Sequence, residues 1–242
     1  KVLEVFAEEG SLTVPQPLLL EEEGRTIPGT VLVMSRLPGR VMHECFGMLR
    51  GGDQERIIES IASDVAALHR NRARGFGGVE LSQEKRHTRW PDFWLPRFDA
   101  VLEEAGSSGV VPRELLEGAD EVRSVCEDAL DIGSESTMTH YDIWSGNVMI
   151  DVGSKPPRVS GYLDLPGFYA DYARELSFSM LFGVADRRFF EIYLREHRLD
   201  DGFWLRANIY NLKMNIKHIQ MYPGQPYYRE GAAENLEVIR RS

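Results

Sequence analysis

The sequence predicts an α+β fold in which a mainly helical carboxyl-terminal part carries a short β-hairpin. Strand-like apolar runs lie within residues 18–34, helical spacing of apolar residues dominates after residue 54, and one pair of strands interrupts the helices at residues 148–163. The chain has 242 residues, of which 43% are hydrophobic, so it is long enough for one large domain or for one and a half.

The first part of the chain predicts the end of a helix followed by two antiparallel strands. Residues 1–9 have helical character, and Gly10 ends the pattern. Residues 18–20 and 30–34 are apolar runs typical of strands, and residues 35–39 leave the second strand as a turn.

Helical spacing then continues through most of the chain. Helices are predicted over residues 54–70, 90–105, 112–130, 175–182, 187–195 and 203–221. Residues 72–78 and 106–109 are predicted to be loops because they are rich in glycine. His69 ends the first of these helices, and we predict a structural role for it because nothing near it in sequence forms a dyad with it.

One run of eight residues holds most of the chemical information, namely His140-Tyr141-Asp142-Ile143-Trp144-Ser145-Gly146-Asn147. Asp142 and Asn147 are five positions apart and can share one loop, and Asp164 follows the next strand but one. An Asp in such a loop can take the proton of an attacking hydroxyl, while an Asn and a second Asp hold a metal ion against nucleotide phosphates. The alternative is a plain turn in which Asp142 caps a helix and Gly146 takes a positive φ. The predicted hairpin favours the catalytic interpretation, since it has Asn147 at one end and Asp164 at the other.

This run resembles the catalytic loop of the aminoglycoside phosphotransferase superfamily, whose enzymes have a protein-kinase-like fold and phosphorylate hydroxyls of small molecules. Within the superfamily the likeness is to the fructosamine (ketosamine) kinases, whose loop has the form His-Gly-Asp-Leu-Trp-Ser-Gly-Asn. Tyr141 and Ile143 differ from that form, and every polar position is kept. Residues 164–176 resemble that family's metal-binding Asp and the run that follows it, and the likeness extends over nearly the whole chain from residue 30.

The resemblance implies ATP and Mg²⁺ as cofactors, with a role for each matching residue. These are Asp142 as the catalytic residue, Asn147 and Asp164 as metal ligands, Met34, Ser35 and Leu37 in a hinge whose main chain binds the nucleotide, and His140 and Asp171 as braces of the catalytic loop. The residue types alone leave two other interpretations open. The hinge could be an ordinary exit from a strand, and Asp171 could instead cap a helix.

Two aromatic residues of the run are weaker candidates for substrate contact. Tyr141 stands where the family generally has Gly, so it puts the conformation of the loop in question and could narrow the site. Trp144 could stack on a sugar ring or could equally pack inside the lobe.

The resemblance also leads us to expect two lobes. Residues 1–37 would be the remnant of a nucleotide-binding lobe with its hinge, and residues 38–242 a helical catalytic and substrate lobe. The glycine-rich loop, strand Lys and helix Glu that such a lobe normally has are not visible. We therefore expect the amino-terminal lobe to be only partly present, through truncation or disorder, and the intact mass of the protein would test this.

Composition narrows the choice of partner. No apolar run approaches the length of a membrane helix, and a net charge of −10 without a basic stripe argues against nucleic acid. The two cysteines lie far apart without metal-ligand spacing, which is typical of a reduced, cytoplasmic protein. An acidic surface would suit a cationic amine substrate but serves solubility equally well.

These observations predict a kinase that phosphorylates a small sugar-like molecule, either a ketosamine or a related amino sugar. Two alternatives remain. The chain could be an antibiotic phosphotransferase that acts on an aminoglycoside, or a catalytically silent binding protein that keeps the fold.

Overall fold

Helices supply most of the regular secondary structure among the described residues. The computed structural model describes residues 1–22, 24 and 28–242, and within them the predicted α+β class is confirmed. The helices are α1 (Val2–Glu9), α2 (Met42–Cys45), α3 (Gly51–Leu68), α4 (Trp90–Ser108), α5 (Arg113–Glu121), α6 (Arg123–Ala129), α7 (Tyr172–Leu181), α8 (Arg187–Tyr193), α9 (Phe203–Met221) and α10 (Pro226–Arg240).

Within the described residues the strands form three small antiparallel sheets. They are β1 (Pro17–Glu21), β2 (Val31–Met34), β3 (Arg40–Val41), β4 (Arg72–Arg74), β5 (Gly77–Gly78), β6 (Glu135–Thr139), β7 (Val148–Asp151), β8 (Arg158–Tyr162) and β9 (Phe168–Ala170). The sheet orders are β1-β2, β3-β7-β8 and β4-β6-β9-β5. The segment 140–147 joins β6 to β7, so its two ends are fixed in different sheets.

The helices pack around α9, which lies against α10, α7 and α4, while α3 packs on α8. The inward side of α9 follows helical spacing, and its apolar members are buried: Phe203, Ala207, Ile209, Tyr210, Leu212, Ile216 and Ile219. Both cysteines are buried free thiols. In the part of the chain that the structure describes, no helix is both long and apolar enough to cross a bilayer.

Several predicted boundaries were wrong, for local reasons. The helix α4 runs through residues 106–108 and stops at Gly109, which has the left-handed φ of 66°. The predicted helix over 112–130 is two helices with a break at Val122. The predicted loop over residues 72–78 contains β4 and β5, whose Arg-Ala-Arg and Gly-Gly sequences lack β-branched residues and pair only because β6 and β9 lie beside them.

Gly39 lets the segment after β2 lie directly on the hairpin formed by β7 and β8. Its φ is 97°, and a Cβ at this position would overlap the carbonyl oxygen of Ile150 in β7. Only glycine fits such a close approach of two backbones. The predicted hinge is therefore positioned beside the hairpin that carries Asn147.

Candidate active site

Asp142 and Asn147 meet within the loop that joins β6 to β7. Asn147 Nδ2 donates to Asp142 Oδ2 at 2.7 Å and to the Asp142 carbonyl oxygen at 3.0 Å. A main-chain bond from Asn147 N to Trp144 O at 2.9 Å closes the turn between them. Since Asn147 is buried while Asp142 is partly exposed, the amide fixes the carboxylate from beneath and leaves its other side open.

Asp164 reaches the same place through the β7–β8 hairpin. Val148 pairs with Tyr162, and Leu163 N donates to Asn147 O at 2.8 Å, which holds the start of one strand against the end of the other. Asp164 has a positive φ of 49°. Its charge is one of the factors that raise the pKa of Asp142, so the two carboxylates lie close enough to interact. The structure thus brings Asp142, Asn147 and Asp164 together.

The Asp142 carboxylate lies in a mixed electrostatic environment. Burial raises its pKa above the ordinary value, whereas the charge of Arg174, the hydrogen bond from Asn147 and the charge of Lys217 act in the opposite direction. Burial and the repulsion from Asp164 outweigh them. A carboxylate with a raised pKa is a better proton acceptor than a solvated one.

His140 lies beneath the loop and is completely buried. Its Nδ1 accepts a hydrogen bond from the main-chain N–H of Asp142 at 3.2 Å. Burial lowers the pKa of His140 to about 4, although the charge of Glu175 opposes this shift. The imidazole is therefore neutral near pH 7. It contacts the loop as a hydrogen-bond acceptor, and its bracing role stays a prediction.

Arg174 and Glu175, the third and fourth residues of α7, hold the peptide groups on both sides of Tyr141. Tyr141 N donates to Glu175 Oε1 and Arg174 Nη1 donates to the Tyr141 carbonyl oxygen, each at 2.8 Å. Glu175 Oε2 lies 2.8 Å from His69 Nε2. The partner of His69 is more than a hundred positions away in sequence, so the residues near His69 in sequence could not indicate a dyad. Neither Glu175 nor Arg174 was predicted, although both belong to the run 164–176 on which the resemblance rests.

Asp171 caps a helix, which was the second of the two roles predicted for it. Its carboxylate caps α7 by accepting from Ala173 N at 3.0 Å, and it accepts from Arg206 Nε at 2.7 Å and from the hydroxyl of Tyr210 at 2.6 Å. Within the described residues these bonds do not reach residues 140–147. The bracing of the loop that we expected from Asp171 therefore comes from Glu175, because the helix that Asp171 starts presents that side chain to the loop one turn later.

A cavity of about 400 Å³ opens beside Asp142. Its walls are mainly aromatic and apolar and include one carboxylate, one lysine and one histidine: Asp142, Trp144, Phe178, Phe182, Met214, Lys217, His218, Met221, Tyr222 and Tyr228. Trp144 lines it and is 37% exposed. No functional role was predicted for Lys217 and His218, which lie on α9 within a run of helical spacing.

Tyr141 lies at a positive φ of 79°, a conformation that few residues other than glycine adopt. Its ring packs on Phe168, with centroids 4.6 Å apart, and the Arg174 guanidinium lies 3.8 Å above it. The ring is therefore directed into the protein, and Tyr141 is not among the residues that line the cavity.

The predicted hinge residues leave the end of β2. Met34 is half-exposed and Leu37 is buried near Gly161 of the hairpin. Ser35 N donates to Gln16 O at 2.8 Å, and Ser35 Oγ accepts from Gln16 N at 2.8 Å. None of the three hinge residues lines the cavity beside Asp142, so a nucleotide at the hinge and an acceptor in the cavity would occupy separate places.

Asn147 and Asp164 are chemically suited to a hard cation. The amide nitrogen of Asn147 is used by Asp142, which leaves its oxygen as the available donor, and Asp164 adds a carboxylate. Among the described residues, His, Cys, Asp and Glu do not cluster in threes around a point that could hold a metal. Two protein oxygens fit Mg²⁺, which is usually held by one or two protein groups with phosphate and water as its other ligands.

Comparison with known proteins adds a family and a fold. A family model described as "Phosphotransferase enzyme family" matches residues 1–195. A "Probable ketoamine kinase" of Vibrio parahaemolyticus is 22% identical over 246 residues, which cover 98% of this chain and 77% of that protein. Another, of Staphylococcus aureus, is 23% identical over 186 residues, which cover 72% of this chain and 62% of that protein.

Solved structures show the same fold. The chain resembles a "putative fructosamine-3-kinase" from Thermobifida fusca with a TM-score of 0.74 at 17% identity, over 100% of this chain and 78% of that one. It resembles the ADP-bound aminoglycoside phosphotransferase APH(2'')-Ib with a TM-score of 0.60 at 14% identity, over 96% of this chain and 78% of that one. The likeness to both groups that the catalytic loop indicated is confirmed.

Proposed function

Because this chain belongs to the phosphotransferase enzyme family, we propose that it transfers the γ-phosphoryl group of ATP to a hydroxyl of a small sugar-like molecule. A ketosamine or a related amino sugar is the acceptor class we favour, because relatives are named ketoamine kinase and fructosamine-3-kinase. The observation on which the proposal depends is the 2.7 Å bond between Asn147 Nδ2 and Asp142 Oδ2 at the wall of a cavity of about 400 Å³.

Asp142 is the catalytic residue in this proposal. Its free carboxylate edge faces the cavity and would accept a hydrogen bond from the acceptor hydroxyl, then take its proton as the new P–O bond forms. Its raised pKa supports proton acceptance. Because phosphoryl transfer has a loose transition state, holding the hydroxyl in line contributes at least as much as basicity, and the Asn147 amide fixes the carboxylate for that purpose.

Asn147 and Asp164 would hold Mg²⁺ through an amide and a carboxylate oxygen. Bound Mg²⁺ supplies positive charge that offsets the charge of the nucleotide phosphates. The main-chain bond from Leu163 N to Asn147 O at 2.8 Å keeps the two ligands in register across the hairpin. The protein's contribution is therefore a fixed separation between the metal ligands and Asp142.

The adenine would lie against the hinge that leaves β2. Ser35 N is already bonded to Gln16 O, so Ser35 can bind a base only through its carbonyl oxygen. The main-chain N–H of Leu37 would be the complementary donor, and Met34 would contact the ring through its side chain. Trp144, at the rim of the cavity, would stack on the sugar ring of the acceptor.

An acceptor panel tests the proposal. Purified protein is incubated with ATP and Mg²⁺ and with fructosyl-lysine or an aminoglycoside, and ADP release and the phosphorylated product are measured. Asp142→Asn is the matched control, since it keeps the shape of the side chain. We expect product from the ketosamine that requires Asp142. Product from the aminoglycoside alone would indicate the antibiotic-modifying alternative. ATP binding without any product, or no ATP binding, would favour the silent protein.

A further inference from the structure

Four basic side chains lie near one another beside the acceptor cavity. Lys217 lines the cavity together with Asp142. Lys213 lies one turn earlier on the same face of α9, with its Nζ 5.3 Å from the centre of the Trp94 ring. Arg174 and Arg97 are the other two, and their charges act on Lys213. We refer to Arg97, Arg174, Lys213 and Lys217 as the basic cluster.

The basic cluster is held in place by neutral groups. The Arg174 guanidinium lies 3.8 Å above the Tyr141 ring and Arg97 lies 3.7 Å above the Phe93 ring. Each also donates to a main-chain carbonyl, Arg174 to Tyr141 and Arg97 to Phe93. Over the described ranges 1–22, 24 and 28–242, no ion pair joins any member of the cluster to a carboxylate. The cluster is therefore held in place without a direct ion pair to a carboxylate among the described residues.

This arrangement is unusual in a chain with 38 acidic and 28 basic residues. Arg174 is buried and Lys213 is half-buried, and such cations are normally paired because an unpaired charge loses hydration without compensation. Arg97 and Lys217, in contrast, are exposed. Asp142 is the one carboxylate among the lining residues given above for the cavity. Burial, together with repulsion from Arg174, Lys217 and Arg97, lowers the pKa of Lys213 to about 7. The cavity thus combines a single carboxylate with nearby basic groups, in contrast to the acidic surface that a cationic substrate would favour.

The rest of the cavity wall is suited to the uncharged body of a ligand. Phe178, Phe182, Tyr222 and Tyr228 present ring faces and edges to the cavity. Phe178 and Phe182 are in contact, with centroids 4.6 Å apart, and Tyr222 and Tyr228 lie 6.1 Å apart in a stacked arrangement. Such walls bind apolar or planar groups and add no charge. A ligand that fills the cavity would thus place one hydroxyl at Asp142 and another polar group at Lys217.

We propose that this cavity selects an acceptor that carries a carboxylate, with the reacting hydroxyl at Asp142, the carboxylate at Lys217 and the body of the molecule against the aromatic walls. This inference rests on the proposed function, because it takes the cavity beside Asp142 as the acceptor site. It predicts that ketosamines of free amino acids are better acceptors than uncharged or polycationic ones. The basic cluster supplies long-range attraction, and Lys217 supplies the direct contact.

A matched pair of acceptors isolates the carboxylate. The ketosamine of glycine and the ketosamine of glycinamide differ only by replacement of the carboxylate with a carboxamide of similar size. We expect the acid to have a KM about tenfold or more below that of the amide, as one charge-assisted contact allows. In Lys217→Met the KM of the acid should rise to within threefold of that of the amide. Lys217→Arg should restore most of the preference.

Lys85→Met is the control variant. Lys85 ends the exposed 3-10 turn Gln83–Lys85 and is not a lining residue of the cavity. It removes the same charge from the protein, so a general electrostatic effect would change the KM in both variants, whereas a direct contact changes it only in Lys217→Met. Equal loss of preference in both lysine variants would overturn the proposal, as would a Lys217→Met defect that affects the KM for ATP and leaves the acid-over-amide ratio intact.

Binding without turnover separates this inference from the proposed function. Titration calorimetry of the nucleotide-free protein measures the Kd of the acid and of the amide. Tighter binding of the acid that is lost in Lys217→Met supports the carboxylate site even if neither compound is phosphorylated, and in that case the proposed kinase activity alone fails. Phosphorylation of acid and amide with equal KM supports the kinase and overturns the carboxylate site. Absence of binding by both at millimolar concentration overturns it as well.

Discussion

Glu175 accepts the main-chain N–H of Tyr141 at 2.8 Å through one carboxylate oxygen, while its other oxygen lies 2.8 Å from His69 Nε2. Tyr141 immediately precedes Asp142 and has a φ of 79°. The residue before the candidate catalytic Asp is thus kept in a sparsely populated conformation by a fully buried charge on α7. Such a conformation persists only where the surroundings enforce it.

The first prediction concerns that charge. In Glu175→Gln the amide can still accept from Tyr141, but its NH₂ group then faces His69 and the charge-assisted bond is lost. We expect a loss of about 2–4 kcal/mol in the free energy of unfolding at pH 7, as for other broken buried pairs. Urea unfolding of both proteins measures it.

The difference in unfolding free energy between wild type and Glu175→Gln should become smaller in acid. Burial raises the pKa of Glu175, but the hydrogen bond and charge of His69 and the charge of His140 outweigh it, so the net pKa is lowered from 4.5. A lowered carboxyl pKa gives stability that is present above the unfolded pKa and is lost as the pH falls through the folded one. The difference between wild type and Glu175→Gln should therefore shrink below about pH 4.5. A difference that grows in acid would show that the carboxylate is not stabilising.

The second prediction concerns the conformation of Tyr141. Replacement by glycine removes the cost of a positive φ, about 1–2 kcal/mol, but also removes a ring that packs on Phe168 and under Arg174. Loss of a buried aromatic side chain costs about 3–5 kcal/mol. We expect the packing loss to dominate, so Tyr141→Gly should be less stable by about 2 kcal/mol. Tyr141→Phe keeps the ring and should stay within about 1 kcal/mol of wild type in thermal unfolding.

These contacts show what local sequence can predict. The spacing of Asp142, Asn147 and Asp164 sufficed to place them together, because a short loop and a hairpin leave few other arrangements. The pairing of His69 with Glu175 could not be predicted, because it depends on how α3 and α7 pack. The neighbours of Lys213 and Lys217 could not be predicted either. Their four-residue spacing on α9 is common in helices, and only the packing of α4 and α7 brings Arg97 and Arg174 near them.

The third prediction separates activity from stability at Asp142. Asp142→Asn should reduce turnover by about 10²-fold or more, since removal of a positioned general base has effects of this size. The same substitution should make the protein more stable, because the pKa of Asp142 is raised on folding. A carboxyl pKa that is raised on folding favours the protonated native form, so its stability contribution falls as the pH rises through that pKa. Without nucleotide or metal, Asp142→Asn should unfold at a higher temperature than wild type at pH 7. A lower Tm would mean that the charged form of Asp142 stabilises the fold.

The fourth prediction concerns the metal ligands. Asp164→Asn keeps an oxygen donor but removes its charge, so it should weaken Mg²⁺ binding without changing the fold. We expect the Mg²⁺ concentration for half-maximal activity to rise about 10–100-fold. Asp151→Asn, at the other end of the same hairpin, is the control, since its carboxylate caps the turn by accepting from Gly153 N at 3.1 Å. An unchanged Mg²⁺ requirement in Asp164→Asn would remove Asp164 from the metal site.

The fifth prediction contrasts two arginine ion pairs. Arg206 Nε lies 2.7 Å from Asp171 Oδ2, and their side chains are 5% and 1% exposed. Arg206→Met would leave the Asp171 carboxylate buried, with Ala173 N and the Tyr210 hydroxyl as remaining donors. An uncompensated buried charge costs about 3–5 kcal/mol. Because Asp171 also caps α7, this loss should reach the loop through Glu175 and lower turnover as well as stability.

The ion pair between Arg187 and Glu191 is the exposed pair in this comparison. Arg187 pairs with Glu191 at 3.0 Å on α8, and its side chain is 93% exposed. Solvent screens such a pair, so Arg187→Met should change the free energy of unfolding by less than about 0.5 kcal/mol. Parallel chemical unfolding of both variants measures the contrast. Similar values for the two would mean that burial does not govern the energy of these pairs, and that Asp171 finds other donors when Arg206 is removed.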